Sequence, residues 1–227
     1  MPKFSFPNAE NSPNFQLKKN LNKIVFLILI LFTSFWNLKA EQIKSSDLME
    51  GDIIFHESNS EQAKAIKAAT KSRYTHVGII FKYDNDYKVL EAVEPVRITP
   101  LSSFIKRGRK NHFVIKRLKD REKVLTNITI QGMKEYGDSL LGRHYDIYFG
   151  WQDDRIYCTE LIWKLYDKFT GKKLGDLKTL KDFDLSSSNV QYLMKKRYGN
   201  NIPYSEPVIS PADMFNSAEL ITIISYN

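Results

Sequence analysis

The sequence predicts an α+β domain built on a mostly antiparallel sheet. Two β-rich runs, "THVGIIFKY" (75–83) and "YKVLEAV" (87–93), are separated by "DND" (84–86), which is turn chemistry and reads as a hairpin. Further apolar runs at 51–57, 112–118 and 220–226 read as strands, while 60–72 and the stretch from Cys158 carry helical periodicity. Strands and helices mix without strict alternation, which argues against a parallel β-α-β architecture.

Taken in order, 43–49 is a short approach with Ser45 or Ser46 capping a turn. "GDIIFHE" (51–57) is a turn and then a strand. In "SEQAKAIKAATKS" (60–72), Ala63, Ile66, Ala69 and Thr70 share one side of a helix. After the hairpin, Pro95 stops the second strand, "ITPLSSFIKRG" reads as a capped short helix, and "HFVIKRL" (112–118) alternates as a strand. Residues 121–141 read as one helix stopped by Gly142. An aromatic loop follows, and the Cys158 helix runs to Gly171. "VQYLMKKRYGNN" (190–201) is a helix closed by Gly199. "SPADMFNS" (210–217) opens with Ser210 as cap and Pro211 in the first helical position, and "LITIISY" (220–226) closes the fold. There is no internal repeat and no long linker.

The chain has 227 residues, which suits one domain preceded by a targeting segment. Lys18, Lys19 and Lys23 precede the 13 apolar residues "IVFLILILFTSFW" (24–36). As a helix that run spans roughly 20 Å, short for a hydrocarbon core of about 30 Å. With Ala40 as cleavage residue, 1–40 reads as a secretory signal peptide, the alternative being an uncleaved anchor that associates with a membrane through 24–36. No cysteine follows the run closely, so a lipoprotein anchor is excluded. The remainder, 41–227, is the predicted domain, and its expected location is periplasmic or secreted. Residues 1–40 hold five lysines and one glutamate, so half of the formal +8 charge belongs to the leader. The remaining basic clusters, 106–110 and 195–197, read as solvated loops, and no nucleic-acid motif is present.

Cys158 is the sole cysteine and cannot pair within the chain. It is either an inert buried thiol or a reactive one. Its position at the mouth of a helix favours the thiolate, because partial positive charge and free N–H groups gather there. A cysteine nucleophile needs a base, and His56, His76, His112 and His144 are the candidates. His76 opens an apolar strand. If the hairpin loop is even-numbered, Glu91 shares a face with His76 and stands within two residues of being opposite it; Glu94 competes.

Together "GDIIF", "SRYTHVGII", "VLEAVEPV", "YDIYFGWQDDRIYCTELIWKLY" and "RYGNNIPYSEPVISPADMF" resemble the YiiX-like branch of the circularly permuted NlpC/P60 cysteine hydrolases, over about 47–220. The histidine-before-cysteine order, with 82 positions between His76 and Cys158, is the order expected of the permuted branch. The resemblance implies a papain-like core with the nucleophile helix packed on an antiparallel sheet. It implies Cys158 as nucleophile, His76 as base and Glu91 as the orienting group, with Glu91 the least constrained because relatives vary there. Tyr74, Tyr145 and Tyr157 flank these motifs and are the expected substrate contacts.

The expected function is cleavage of an amide in a cell-wall peptide or related small peptide, with no cofactor and no metal. The alternative is acyl chemistry on a lipid substrate, by hydrolysis or transfer, with Tyr145, Tyr148, Phe149, Trp151 and Tyr157 lining a greasy pocket. A third is an acyl-lipid binder without turnover. The sequence gives no sign of oligomeric state.

Overall fold

Burial of alternate faces explains the architecture of the computed structural model, which describes residues 43–152 and 154–226. The predicted leader, 1–40, lies outside the described residues. Among the described residues ten strands form: β1 Ile53–His56, β2 His76–Tyr83, β3 Asp86–Glu91, β4 Arg97–Pro100, β5 Phe113–Leu118, β6 His144–Tyr145, β7 Arg155–Ile156, β8 Lys178–Thr179, β9 Pro207–Val208 and β10 Leu220–Tyr226. Six of them make one antiparallel sheet in the order β10-β5-β1-β2-β3-β4. β1 sits inside it and all four of its residues are buried, as its unbroken "IIF" requires.

The β2–β3 connection is a two-residue turn. Asp84 and Asn85 both have positive φ (53° and 66°) between the paired Tyr83 and Asp86. That geometry suits the twist of the strands, and Asp and Asn tolerate it. The loop is therefore even-numbered, and one step beyond the Ile79–Leu90 pair Glu91 falls opposite Gly78. His76 is two residues from Gly78 and shares its face.

The two faces carry different layers. Phe55, Val77, Ile79 and Leu90 pack in one cluster with Leu161, Ile162 and Leu165 of the helix Cys158–Thr170. Each such side chain contributes about 1.5–3 kcal/mol when fully buried. The opposite face meets the short helix Leu101–Arg107, whose Phe104 stacks on His56 and His76. Gly78 lies under this helix. A Cβ there would stand 2.3 Å from Val89 Cγ1 and 3.3 Å from Phe104, so only glycine fits without displacement. The helices Glu61–Thr70 and Ser188–Tyr198 share a smaller apolar cluster of Ala65, Val190 and Met194.

Several boundaries differ from the sequence reading. The stretch read as one helix over 121–141 is two helices, Arg121–Val124 and Asn127–Ser139. Leu125 is buried between them, and Thr126 caps the second by accepting from the Thr129 N–H at 3.2 Å. That helix also stops before Gly142, whose N–H instead donates to Val96 O. Residues 98–100, read as the start of a helix, belong to β4; its Pro100 is tolerated because β4 is an edge strand. The two-residue strands β6–β9 were not anticipated; β6 and β7 pair in parallel. Among the described residues no helix is long and apolar enough to cross a membrane.

Candidate active site

Cys158 is the first residue of its helix and is almost fully buried. It arrives from the layer on one face of the sheet. His76 is the first residue of β2, at the end of the sheet, on the face covered by Phe104. Because the sheet stops there, the imidazole stands near enough to the thiol for each to stabilise the other's charged form.

Glu91 takes the other side of the ring. His76 Nε2 donates to Glu91 Oε2 at 2.6 Å, which leaves Nδ1 for the sulfur. Glu91 is fully buried, and its second oxygen is held by residues of the next two elements. Thr99 Oγ1 of β4 donates to Oε1 at 2.5 Å, Arg107 Nη2 donates to the same atom, and Arg97 Nε stands 3.9 Å away. Buried carboxylates survive ionised only when paired in this way.

The electrostatics follow from these contacts. Burial disfavours the Glu91 carboxylate, but His76 and Arg107 overcome it and hold its pKa at about 2. Burial also opposes the imidazolium, yet the bonds to Cys158 and Glu91 raise His76 to about 9. For Cys158, burial favours the thiol. The His76 bond and charge, the Tyr145 hydroxyl and the Thr159 N–H outweigh it and lower the pKa. Both shifts therefore run toward a thiolate–imidazolium pair.

Tyr145 O–H points to Sγ at 4.0 Å. Tyr157 is buried beneath the helix start, where its oxygen accepts from the Ile209 N–H at 3.1 Å. Tyr74 lies elsewhere: it stacks on Phe215 with centroids 3.9 Å apart and lines neither cavity at the thiol. Glu94 is exposed and does not touch His76; it binds His144 Nδ1 at 2.7 Å and accepts from the Tyr145 N–H at 2.9 Å. His56 pairs with His76 across β1 and β2, and burial with the neighbouring His76 and Arg107 charges keeps it neutral. His112 stacks near Tyr74, away from the thiol's partners.

Two basic residues read as solvated are instead engaged at the site. Arg107 binds Glu91, and Arg197 Nη2 donates to Gln62 Oε1 at 2.7 Å. Gln62 in turn donates to the Tyr145 oxygen at 2.9 Å. Nothing in the sequence around Gln62 marked it, because its partners are 83 and 135 positions away.

Two spaces flank the thiol region. One is an open cleft of mixed walls, lined by His56, Ser58, His76, Arg107 and Tyr145 together with Ile66 and Val93. The other is a cavity of about 740 Å³, counting its mouth, lined by Cys158 itself and by Ile66, Phe149, Leu193, Met194 and Val208 among others. Its walls are almost wholly apolar. Gln62 and Ile66 border both.

Comparison with known proteins adds a family. A family profile described as permuted papain-like amidase enzyme, YaeF/YiiX, C92 family, matches residues 47–224. The chain is 42% identical to the uncharacterized protein YiiX of Escherichia coli (strain K12) over 173 residues, 76% of this chain and 84% of that one. It is also similar to a crystal structure described as metalloprotein YiiX from Escherichia coli O157:H7, at 40% identity and a TM-score of 0.75. That match covers 79% of this chain and 98% of the other.

Proposed function

The chain belongs to the permuted papain-like amidase family and is a cysteine hydrolase of the amidase type, and we propose that Cys158, His76 and Glu91 carry its reaction. The observation that carries this reading is the buried His76–Glu91 bond, with 2.6 Å between His76 Nε2 and Glu91 Oε2, beside a buried thiol whose pKa His76 lowers.

The Cys158 thiolate attacks the amide carbonyl carbon, a C–S bond forms, and the carbonyl π pair moves onto oxygen. The amides of the first helical turn and the Tyr145 hydroxyl are the donors for that oxyanion. The oxyanion collapses, the C–N bond breaks, and His76 gives its Nδ1 proton to the leaving amine. Neutral His76 then takes a proton from water, which attacks the thioester and frees the acid and the thiol. Glu91 holds the ring and stabilises its charged form without making bonds.

The leaving amine must depart on the His76 side, into the open cleft that carries the charged and hydroxyl groups. The acyl portion then faces the apolar cavity. That wall chemistry favours the second reading of substrate, an acyl chain, over a cell-wall peptide of polar residues. Export through the leader would put either substrate within reach.

The similar crystal structure from Escherichia coli O157:H7 is described as a metalloprotein. The residues here do not fit a metal site: among the described residues no three His, Cys, Asp or Glu stand together as a ligand set, and Glu91 is already held by His76, Thr99 and Arg107.

Turnover of a panel of cell-wall peptides, long-chain N-acyl amides and acyl esters by the mature chain tests the reading. Activity retained by Cys158→Ala overturns it.

A further inference from the structure

A phenol faces the thiol, and its proton is aimed by residues that touch neither sulfur nor imidazole. Arg197 is in the last turn of the helix Ser188–Tyr198, and Gln62 is in the first turn of the helix Glu61–Thr70. Three bonds run in one direction: Arg197 Nη2 to Gln62 Oε1 at 2.7 Å, Gln62 Nε2 to Tyr145 Oη at 2.9 Å, and Tyr145 O–H to Cys158 Sγ at 4.0 Å.

The direction is forced. A carboxamide can be turned either way, but a guanidinium has only donors. Gln62 must therefore show its oxygen to Arg197 and its NH₂ to Tyr145. The phenol oxygen already accepts, so its own proton is free, and the sulfur is the acceptor it reaches. Arg197 is itself braced, with its guanidinium 5.5 Å from the centroid of the Phe149 ring.

We propose that Arg197 and Gln62 are positioning residues that fix Tyr145 as a donor to the Cys158 sulfur and then to the oxyanion formed from it. The proposal rests on Cys158 being the nucleophile. Before attack, the aimed proton offsets part of what burial costs the thiolate. After attack, the sulfur is neutral and the same donor serves the new negative oxygen without reorganising. A phenol free to rotate would spend part of its time donating elsewhere.

The discriminating variant is Gln62→Glu, which keeps the shape and replaces the NH₂ donor with an acceptor. The carboxylate still pairs with Arg197, but now it accepts the Tyr145 proton and turns it away from sulfur. The readout is the rate of Cys158 alkylation by iodoacetamide across pH 5 to 10, on protein whose circular dichroism and thermal midpoint match the parent. Gln62→Glu is expected to move the alkylation midpoint upward and to slow labelling about tenfold below it, the worth of one hydrogen bond to a charged group. Arg197→Met gives a smaller shift in the same direction, and Arg197→Lys, which still only donates, restores most of it. In a Tyr145→Phe background Gln62→Glu has no further effect, which separates an aimed proton from the mere addition of a negative charge. An upward shift that persists in Tyr145→Phe, or no shift at all, overturns the relay while leaving the nucleophile standing. A parent midpoint at the ordinary thiol value of about 8.5 sinks the nucleophile reading and the relay with it.

Discussion

His76 Nε2 lies 2.6 Å from Glu91 Oε2, and the hairpin that joins them sets that distance. The two-residue Asp84–Asn85 turn fixes the register, so both side chains fall on one face two residues out of line across β2 and β3. A one-residue slip would send Glu91 to the opposite face, among the apolar side chains under the Cys158 helix.

Cys158→Ala and His76→Ala are each expected to lower kcat by at least about 10⁴-fold while leaving the fold intact. The double variant should be little worse than either, because residues that act as one unit are far from additive. Steady-state kinetics on any amide found to be a substrate measure this.

Glu91→Gln should retain about 1% of kcat, since it removes orientation and charge but no bond-making group. It also alters the pH profile. His76 is raised to about 9 by its two partners, so the imidazolium form is lost as pH rises through that value. Without the carboxylate, the alkaline limb moves to lower pH. Stability has matching signs. The raised His76 contributes fully below its unfolded value of about 6.5 and loses that contribution as pH climbs to about 9. The depressed Glu91 contributes above its unfolded value near 4.5 and loses that contribution as pH falls to about 2. Urea unfolding against pH should show both losses in the parent and a shallower acid loss in Glu91→Gln.

Glu94→Gln should change kcat no more than about threefold. Its carboxylate is exposed and serves His144 and the Tyr145 N–H, so only the seating of Tyr145 is affected. A dead Glu94→Gln beside a fully active Glu91→Gln would overturn the assignment of the orienting acid.

For N-acyl 7-amino-4-methylcoumarin amides of increasing chain length, kcat/KM is expected to rise about fourfold per methylene until the apolar cavity is filled. Ala69→Trp, which narrows that cavity, should flatten the series while leaving the acetyl amide unaffected. A flat series in the parent points back to peptide substrates.

The leader is expected to be removed after Ala40. Mass spectrometry of the mature N-terminus checks this, and an intact Met1 on membrane-bound protein would favour the anchor.

The hairpin, the Cys158 helix and the Ser210 cap with Pro211 were legible because each rests on local chemistry: turn residues with positive φ, apolar spacing, a capping hydroxyl. The His76–Glu91 face relation followed from strand periodicity once the loop had an even number of residues, which the two-residue turn supplies. β4 was not legible, since "RITP" is short and carries a charge and a proline that an edge strand tolerates. Its loss from the reading hid Thr99 and Arg97, which explain why a buried glutamate stays ionised. The break at Leu125 was masked by the charged run "REK", which fits a helix until Leu125 is drawn into the core. Tyr74 adjoins His76 in sequence, yet its ring goes to Phe215; adjacency did not determine direction. Gln62, Tyr145 and Arg197 meet only through tertiary packing, which no spacing rule encodes.

Cys158 and His76 are held by layers on opposite faces of the sheet and meet only past its end. Neither layer alone brings the pair together. In an unfolded chain the thiol has its ordinary pKa of about 8.5 and is mostly protonated at neutral pH. Chemical competence is thus withheld until the whole domain has closed, so a newly made or passing chain is a poor nucleophile toward whatever amides surround it. The same dependence makes thiol labelling a built-in gauge of how completely a preparation has folded.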